Sequence, residues 1–429
     1  MAVNNEIGIG LLGLGGIGNQ VAEHLLQHLD AVSSHLDRPL SLRRVLVRDT
    51  ALPRAVTLAD GVLTDDFNDI LNDPDIQFVV EVMGGEDPAA DYLKRLLDKG
   101  KSVITANKEV MAKHGPSLME AADRSGAQLR FEASVGGGIP IIGPLQNDLL
   151  ANDITSIRAI INGTTNYILT KMAQEGLDFG VALAQAQALG YAEPDPTNDI
   201  EGIDAAYKIA ILGSLAFHTA VAPEQVYTEG ITGMAAEDFE FAHELGYEIK
   251  LLAIAERTDA GVQARVHPVL LHQESMLAKV EGAFNAIEVC GDLVGPVVFH
   301  GQGAGAAPTT SAIIGDLVAA ARRDGKSTTS RPWSKLPMKP MADLETQYYL
   351  RVSIADQSGV LSKIASVFGE NNISIASLTQ KDGDNQLGTA QLVITTHPAK
   401  EAAMQTALQG IKNLSVLHKV HNLLRVEPI

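Results

Sequence analysis

The chain has one cysteine and one tryptophan in 429 residues, and aromatic side chains make up 4% of it. With Cys290 alone there is no intrachain disulfide and no multi-thiolate metal cluster, which fits a reducing cytosol. As a free thiol, Cys290 reads as a small buried hydrophobe rather than a nucleophile. Positive charge is also short: 33 Lys and Arg face 52 Asp and Glu, a formal net charge of −19. So acidic a surface repels phosphate backbones and anionic lipid, which sets aside nucleic-acid and membrane roles; an anionic ligand needs a local positive site. No uncharged apolar run reaches the roughly 18 residues that span a bilayer. The N-terminus enters the strand-like run Ile7–Leu12 with no room for a basic region and a cleavable apolar segment, so the expected location is cytoplasmic.

At about three times the usual domain length the chain should hold two or three domains. Its 45% hydrophobic and 20% charged residues are ordinary globular composition and exclude a disordered, collagen-like or coiled-coil chain. In the first third, the strand-like runs Ile7–Leu12, Arg43–Val47, Phe78–Met83, Ser102–Ala106 and Gln128–Phe131 alternate with the helical stretches Asn19–Leu29, Ala89–Asp98 and Lys108–Ser125. That alternation predicts a parallel sheet covered on both faces. From about residue 150, the helical stretches Phe179–Leu189 and Ile200–Phe217 mix with strand-like Ile154–Ile161 and Leu251–Ala255, a second, α+β domain. Gly325–Ala342 has no acidic residue, carries Lys326, Arg331, Lys335 and Lys339, and is broken by Pro332, Pro337 and Pro340; it reads as a solvated linker. Beyond it, Tyr348–Ile354, Gly359–Glu370, Ser374–Gln380, Gly388–Thr395, Lys400–Gln409 and Val416–Val426 read strand, helix, strand, strand, helix, strand, the order of a ferredoxin-like unit.

Gly13-Leu14-Gly15-Gly16-Ile17-Gly18 directly follows the first strand and opens a helical stretch, the setting in which GxGxxG marks a dinucleotide site. Gly13 suits the tight turn, Gly15 the approach of backbone N–H groups to a pyrophosphate, and Gly18 close packing of helix on strand; the helix N-terminus adds partial positive charge. A site selective for NAD places an acid at the end of the second strand, but this chain reads Val45-Leu46-Val47-Arg48-Asp49. Arg48 can pair with a 2′-phosphate and tips the expectation towards NADP, while Asp49 keeps NAD open.

Gly190–Lys208 is the densest polar stretch of the second domain. Thr197, Asn198 or Asp199 is expected to cap the helix that follows, on which Asp204 and Lys208 share a face that continues as Ile211 and Leu215. The apolar continuation predicts partial burial, where desolvation lowers a lysine pKa and a neighbouring carboxylate raises it. Lysine has a transferable proton, so the pair is a candidate acid–base group. The plain alternative is a surface ion pair worth roughly 0.3–0.5 kcal/mol.

Ala186 through Lys208 resembles the signature of homoserine dehydrogenases. So do Thr105-Ala106-Asn107-Lys108, the run Phe131–Pro140 and the run Asn162–Leu169, which follow the family's order and cover most of residues 7–320. The resemblance implies reversible oxidation of L-homoserine to L-aspartate 4-semialdehyde with NADP or NAD, on the route to threonine and methionine. It implies Lys208 as proton donor and acceptor at the carbinol oxygen and Lys108 as a second active-site lysine. Glu193 and Asp204 would hold the substrate ammonium, Asp199 would be both helix cap and supporting acid, and Gly163 and Thr164 would contact the bound amino acid. Cofactor contacts are expected from Gly13, Leu14, Gly15, Gly16, Ile17 and Gly18, and from Arg48, Thr105, Lys108, Gly190 and Gly303. Glu132 with the carbonyls of Val135, Gly137 and Ile139 resembles the family's monovalent-cation loop for sodium or potassium, a simple hinge being the competing reading.

Gly301–Thr309 resembles the family's late glycine-rich loop, which returns the chain to the nucleotide domain. Asp356-Gln357-Ser358-Gly359-Val360-Leu361 and then Asn371–Ile375 resemble an ACT domain, a fold that often binds amino acids between paired copies; Ser358 stands where many members carry proline. The expected organisation is α/β: a Rossmann-type nucleotide-binding domain over 1–134 and about 303–324, an α+β catalytic and dimerisation domain over 135–302, a linker over 325–346, and a ferredoxin-like ACT domain over 347–429. Threonine is the implied feedback effector and a homodimer or homotetramer the implied assembly, with a ligand-free dimerisation module as the alternative. Removing the chain beyond about 340 is expected to spare the chemistry and abolish threonine sensitivity. Two further readings stay open, another NAD(P)-dependent semialdehyde or hydroxy-acid dehydrogenase and a catalytically silent amino-acid sensor; a sensor would not need Lys208, Glu193 and Asp204 together.

Overall fold

The computed structural model describes residues 6–28, 32–323, 333–382 and 388–427. They form two compact units, one from residues 1–154, 207–223 and 289–335, the other from 155–206, 224–288 and 336–429.

In the first unit β1 (Ile7–Leu12), β2 (Leu40–Leu46), β3 (Leu63–Thr64), β4 (Ile76–Glu81), β5 (Ser102–Thr105) and β6 (Leu129–Arg130) make a parallel sheet in the order β3-β2-β1-β4-β5-β6. Every residue of β1 is buried, as a central parallel strand covered on both faces must be. Alternate residues Ile7, Ile9 and Leu11 pack with Val21 and Leu25 of helix Gly16–Gln27 and Ile313 and Leu317 of helix Ala306–Arg322, so these helices cover one face. Strand order reverses between β1 and β4, which puts the loops after those strands at the switch point where open α/β sheets bind ligands.

The second unit is built on β7 (Ile154–Ile160), β8 (Tyr227–Thr228), β9 (Tyr247–Thr258), β10 (Gly261–His272) and β11 (Phe284–Gly291); β12 (Gly295–Gln302) follows in the chain. Then come β13 (Glu345–Ala355), β14 (Ile375–Asp382), β15 (Thr389–Thr396), β16 (Ala399–Lys400) and β17 (Leu417–Glu427). One sheet runs β11-β7-β9-β10-β17-β13-β15-β14, with β8 on β10 and β16 on β13. Its last four strands are the ferredoxin-like unit in the order fourth, first, third, second, all antiparallel. Helices Val360–Glu370 and Glu401–Lys412 turn Ile364, Phe368, Met404 and Leu408 onto Leu350, Val352, Leu392 and Ile394, the helical spacing of a core-facing stripe.

Three expectations change here. The stretch read as a solvated linker is docked over its described part: Val262 donates to the Pro337 carbonyl (2.9 Å), Lys339 N–H to that of Val262 (2.6 Å), and Gln263 to that of Pro340 (3.0 Å). Proline removes donors but not carbonyls, so such a run can still dock as an acceptor. Cys290 is half-buried rather than buried. Most consequential, β17 pairs in parallel with β10, Val269 opposite Arg425 through Leu271 opposite Glu427. Removing the chain beyond about 340 would bare that edge and leave Arg265 without Glu427 and Asp238 without Arg351 and Asn422, a seam that the expectation of a freely removable module did not include. No helix among the described residues is long and apolar enough to cross a membrane.

Candidate active site

The glycine-rich turn leaves β1 with Gly13 at φ +97°, a conformation open to glycine. A Cβ on Gly18 would lie 2.3 Å from the Gly13 carbonyl oxygen, so helix Gly16–Gln27 packs onto the turn only because residue 18 has no side chain. A Cβ on Gly15 would meet nothing within 4 Å. That free volume lies at a helix N-terminus with no acidic residue in its first turn and no side-chain cap, which suits a pyrophosphate. Leu14 is buried and Ile17 half-buried, so the turn presents main chain rather than these side chains to solvent. Arg48 and Asp49 are exposed beyond β2. The Asp49 carboxylate accepts the N–H of Ala51 (2.8 Å) and its carbonyl accepts Arg54 Nη2 (2.7 Å), which adds a second arginine to this loop.

At the end of β5, Thr105 is buried and donates its hydroxyl to Glu81 Oε2 (2.5 Å) while accepting the N–H of Asn107 (3.0 Å). Asn107 caps helix Lys108–Ser125 through Val110 N–H (3.2 Å) and donates to the Gly85 carbonyl (2.7 Å). Lys108, half-buried, is thus the first residue of a helix whose start is pinned to the carboxyl end of β4. Burial raises the Glu81 carboxyl pKa above its ordinary range, opposed by hydrogen bonds from Thr105 and Met83. Sequence reasoning missed Glu81, whose partner Thr105 lies 24 residues further along the chain.

The Glu132 carboxylate accepts three backbone N–H groups, from Ile141 (2.6 Å), Ile142 (2.7 Å) and Gly143 (2.7 Å), and so anchors the start of helix Ile142–Gln146. Val135 and Ile139 are buried, and the loop between them turns through positive φ at Gly136 and Gly137. A Cβ on Gly137 would come within 2.6 Å of the Gly303 carbonyl, which brings this loop and the late glycine-rich loop together. Among the described residues there is no cluster of three or more His, Cys, Asp or Glu side chains that could hold a metal ion.

In the second unit the organising side chain is Asn162. Its carbonyl oxygen caps helix Gly163–Glu175 through Thr165 N–H (2.9 Å), and its amide donates to Asp199 (2.7 Å) and Asp204 (2.9 Å). The Asn-Gly pair that reads as a turn is therefore a helix cap, and its amide gathers two carboxylates. Gly163 begins that helix so close to the Ala283 carbonyl that a Cβ would approach it to 2.8 Å, and Thr164 donates its hydroxyl to the Tyr191 carbonyl (2.6 Å). Asp199 does not cap the long helix: it lies inside the short helix Thr197–Ile200, whose first N–H is accepted by Asp195 (3.1 Å). Gly202, at φ +80°, then breaks the chain before helix Ile203–Phe217. Asp204 is 3% exposed and Lys208 half-buried on that helix, with Ile211 buried below them. Glu193 is exposed, and its carbonyl accepts Gln187 Nε2 (3.1 Å); Gly190, at φ +78°, ends helix Phe179–Ala188.

A parallel sheet with a glycine-rich turn at its switch point, joined to a second unit that gathers carboxylates, defines a nicotinamide-dependent dehydrogenase. Residues 13–132 match the homoserine dehydrogenase NAD-binding domain, 140–318 homoserine dehydrogenase, and 348–414 the ACT domain. The chain is 42% identical over 433 residues to the homoserine dehydrogenase of Mycobacterium tuberculosis, covering 98% of both chains. A crystal structure of the Thiobacillus denitrificans enzyme superposes with a TM-score of 0.91 at 39% identity, again over 98% of both chains. A hyperthermophilic archaeal homoserine dehydrogenase in complex with NADPH matches 74% of this chain and 98% of its own, with a TM-score of 0.63 and 28% identity. The chain belongs to the homoserine dehydrogenase family and is an oxidoreductase with a nicotinamide cofactor.

Proposed function

We propose that the chain interconverts L-homoserine and L-aspartate 4-semialdehyde with NADP or NAD. The observation that carries this reading is the Asn162 amide holding Asp199 and Asp204 together, with Lys208 one turn further along the Asp204 helix. Two carboxylates gathered on one donor suit an amino-acid ammonium, and a lysine on the same helix face supplies the proton carrier.

When bound, the nicotinamide supplies the hydride acceptor or donor. In oxidation the neutral amine of Lys208 takes the hydroxyl proton; in reduction its ammonium returns that proton to the aldehyde oxygen. Glu193, Asp204 and Asp199 hold the substrate ammonium, Gly163 and Thr164 contact the amino acid, and Lys108 lies beside cofactor and substrate. Main-chain groups from Gly13 to Gly18 take the pyrophosphate, with Thr105, Gly190 and Gly303 completing the cofactor contacts. Exposed Arg48, the engaged Asp49 carboxylate and the NADPH held by the archaeal relative favour NADP. Glu132 and the carbonyls of Val135, Gly137 and Ile139 take a sodium or potassium ion. The C-terminal module senses threonine, and the assembly is a cytoplasmic homodimer or homotetramer.

The test is the rate of NAD(P)H formation at saturating L-homoserine. Lys208→Ala should lower it by about 10²–10⁴-fold, and an undiminished rate would remove Lys208 from its role. A strong preference for NAD would remove Arg48, and activity indifferent to sodium and potassium would remove the ion.

A further inference from the structure

Two strands share one edge of β10. β8 pairs with Arg265 and Val266, and β17 takes over at Val269, so both lie opposite the edge that β9 occupies. This end-to-end arrangement brings Glu229, just past β8, to Arg425 on β17.

Arg425 is 1% exposed. Its Nε and Nη2 bind the two oxygens of Glu401 (2.9 and 2.6 Å), which belongs to the C-terminal module, and its Nη1 binds Glu229 Oε2 (2.8 Å). Glu229 also accepts the Tyr227 hydroxyl (3.1 Å), and the guanidinium lies over the Tyr227 ring at 5.3 Å from its centroid. The guanidinium is therefore held bidentately by the buried Glu401 of the module and tied by its third nitrogen to Glu229 of the body, whose side chain is 37% exposed, so one buried arginine links the two.

Glu229 opens a segment that lies directly on the carboxylate-bearing turn. Its own N–H donates to the Val266 carbonyl (2.8 Å), and the N–H of Ile231 donates to the Ile200 carbonyl (2.8 Å). Between them, a Cβ on Gly230 would come within 2.4 Å of the Ile200 carbonyl oxygen and 2.7 Å of the Glu201 Cα. The two nearest of these contacts are backbone on backbone, with the Glu201 carboxylate next at 2.9 Å. Ile200 directly follows Asp199, and Gly202 leads into the helix that carries Asp204. The path from module to substrate acids is Arg425, Glu229, Gly230–Ile231, Ile200, Asp199.

We propose that Glu229 is a positioning residue through which the C-terminal module sets the placement of Asp199 and Asp204, and so the affinity for the amino-acid substrate. The inference rests on those two acids receiving the substrate ammonium. It gives a ligand on the module a route to homoserine affinity that does not pass through the cofactor.

The experiment is steady-state kinetics on the full chain with L-homoserine and NADP varied separately. Glu229→Ala should raise KM for L-homoserine about tenfold, with kcat and the cofactor KM changed by less than about twofold. Glu229→Gln, which keeps a neutral partner for Arg425 and is the variant to use should Glu229→Ala not fold, should show a smaller rise of the same kind. Lys381→Ala cuts another contact between module and body, the exposed 2.6 Å pair with Glu244, which does not reach the 199–202 turn, and should leave all three constants unchanged. An unchanged homoserine KM in Glu229→Ala and Glu229→Gln, or a parallel loss in every constant, overturns the proposal. Asp199→Asn separates the failures: a raised homoserine KM there with none in the Glu229 variants sinks the coupling alone, whereas no change in Asp199→Asn sinks the subsite and the coupling with it.

Discussion

Arg265 on β10 and Glu427 at the end of β17 form an ion pair of 3.0 Å with side chains 2% and 1% exposed. Removing Glu427 takes from Arg265 its buried carboxylate and leaves it Glu256, 25% exposed at 2.8 Å, so the cost should approach but not reach the about 3–5 kcal/mol of a buried charge left with no partner. Glu427→Ala should therefore lower the thermal midpoint markedly, and truncation at about residue 340 should yield an aggregating or inactive protein. An active, threonine-insensitive truncated protein would show that the seam between β10 and β17 is dispensable.

Asp316 gives the stability a pH dependence. Burial raises its pKa to about 7, opposed by the N–H of Glu132, which it accepts at 2.8 Å, and by Arg130. A carboxyl whose folded pKa lies above its unfolded value binds its proton more tightly when folded. Its stabilising contribution is complete below about pH 4 and is lost as pH rises to about 7. Asp316→Asn keeps an oxygen for the Glu132 N–H and should be more stable than the parent by about 1–3 kcal/mol above pH 7, with a flatter stability profile between the two values. Urea denaturation across that range measures it; identical slopes would contradict the assignment.

Asn162→Asp separates capping from carboxylate gathering. The new side chain still offers an oxygen to Thr165 N–H, so helix Gly163–Glu175 should keep its start. The donor to Asp199 and Asp204 is replaced by a third negative group, which should raise homoserine KM by about tenfold or more and partly reverse as pH falls. An unaltered KM would show that the shared amide does not organise the subsite.

Gly15 and Gly18 should fail differently. Gly15→Ala meets open space, so it should leave the melting temperature unchanged while weakening cofactor binding through lost close approach. Gly18→Ala forces its methyl against the Gly13 carbonyl and should cost about 1–3 kcal/mol in stability before any cofactor is added. Fluorescence titration with NADPH and thermal melts of the apo-protein distinguish the two.

Much of the fold was legible because its signals are local. The helices Ala89–Asp98 and Lys108–Ser125 and the whole C-terminal βαββαβ order follow from short-range periodicity and turn residues. β10 was not legible, since eleven of its twelve residues are buried and a strand covered on both faces shows no alternation. In the candidate site, Lys208 and Asp204 could be paired by helix spacing, but Asn162 and Glu81 could not be singled out. An Asn-Gly pair and a lone acid look ordinary until the groups they bind arrive from 37 and 24 residues away.

By itself the sequence determined the glycine turn, the parallel-sheet alternation and the acid–lysine helix face, because each depends on neighbours within a turn or a strand. Only the tertiary structure decided that β17 lies on β10 and that Arg425 reaches Glu229 across 196 residues of chain. Strand edges carry no address in their side chains, and a buried arginine is indistinguishable in composition from a solvated one until its carboxylates are in place.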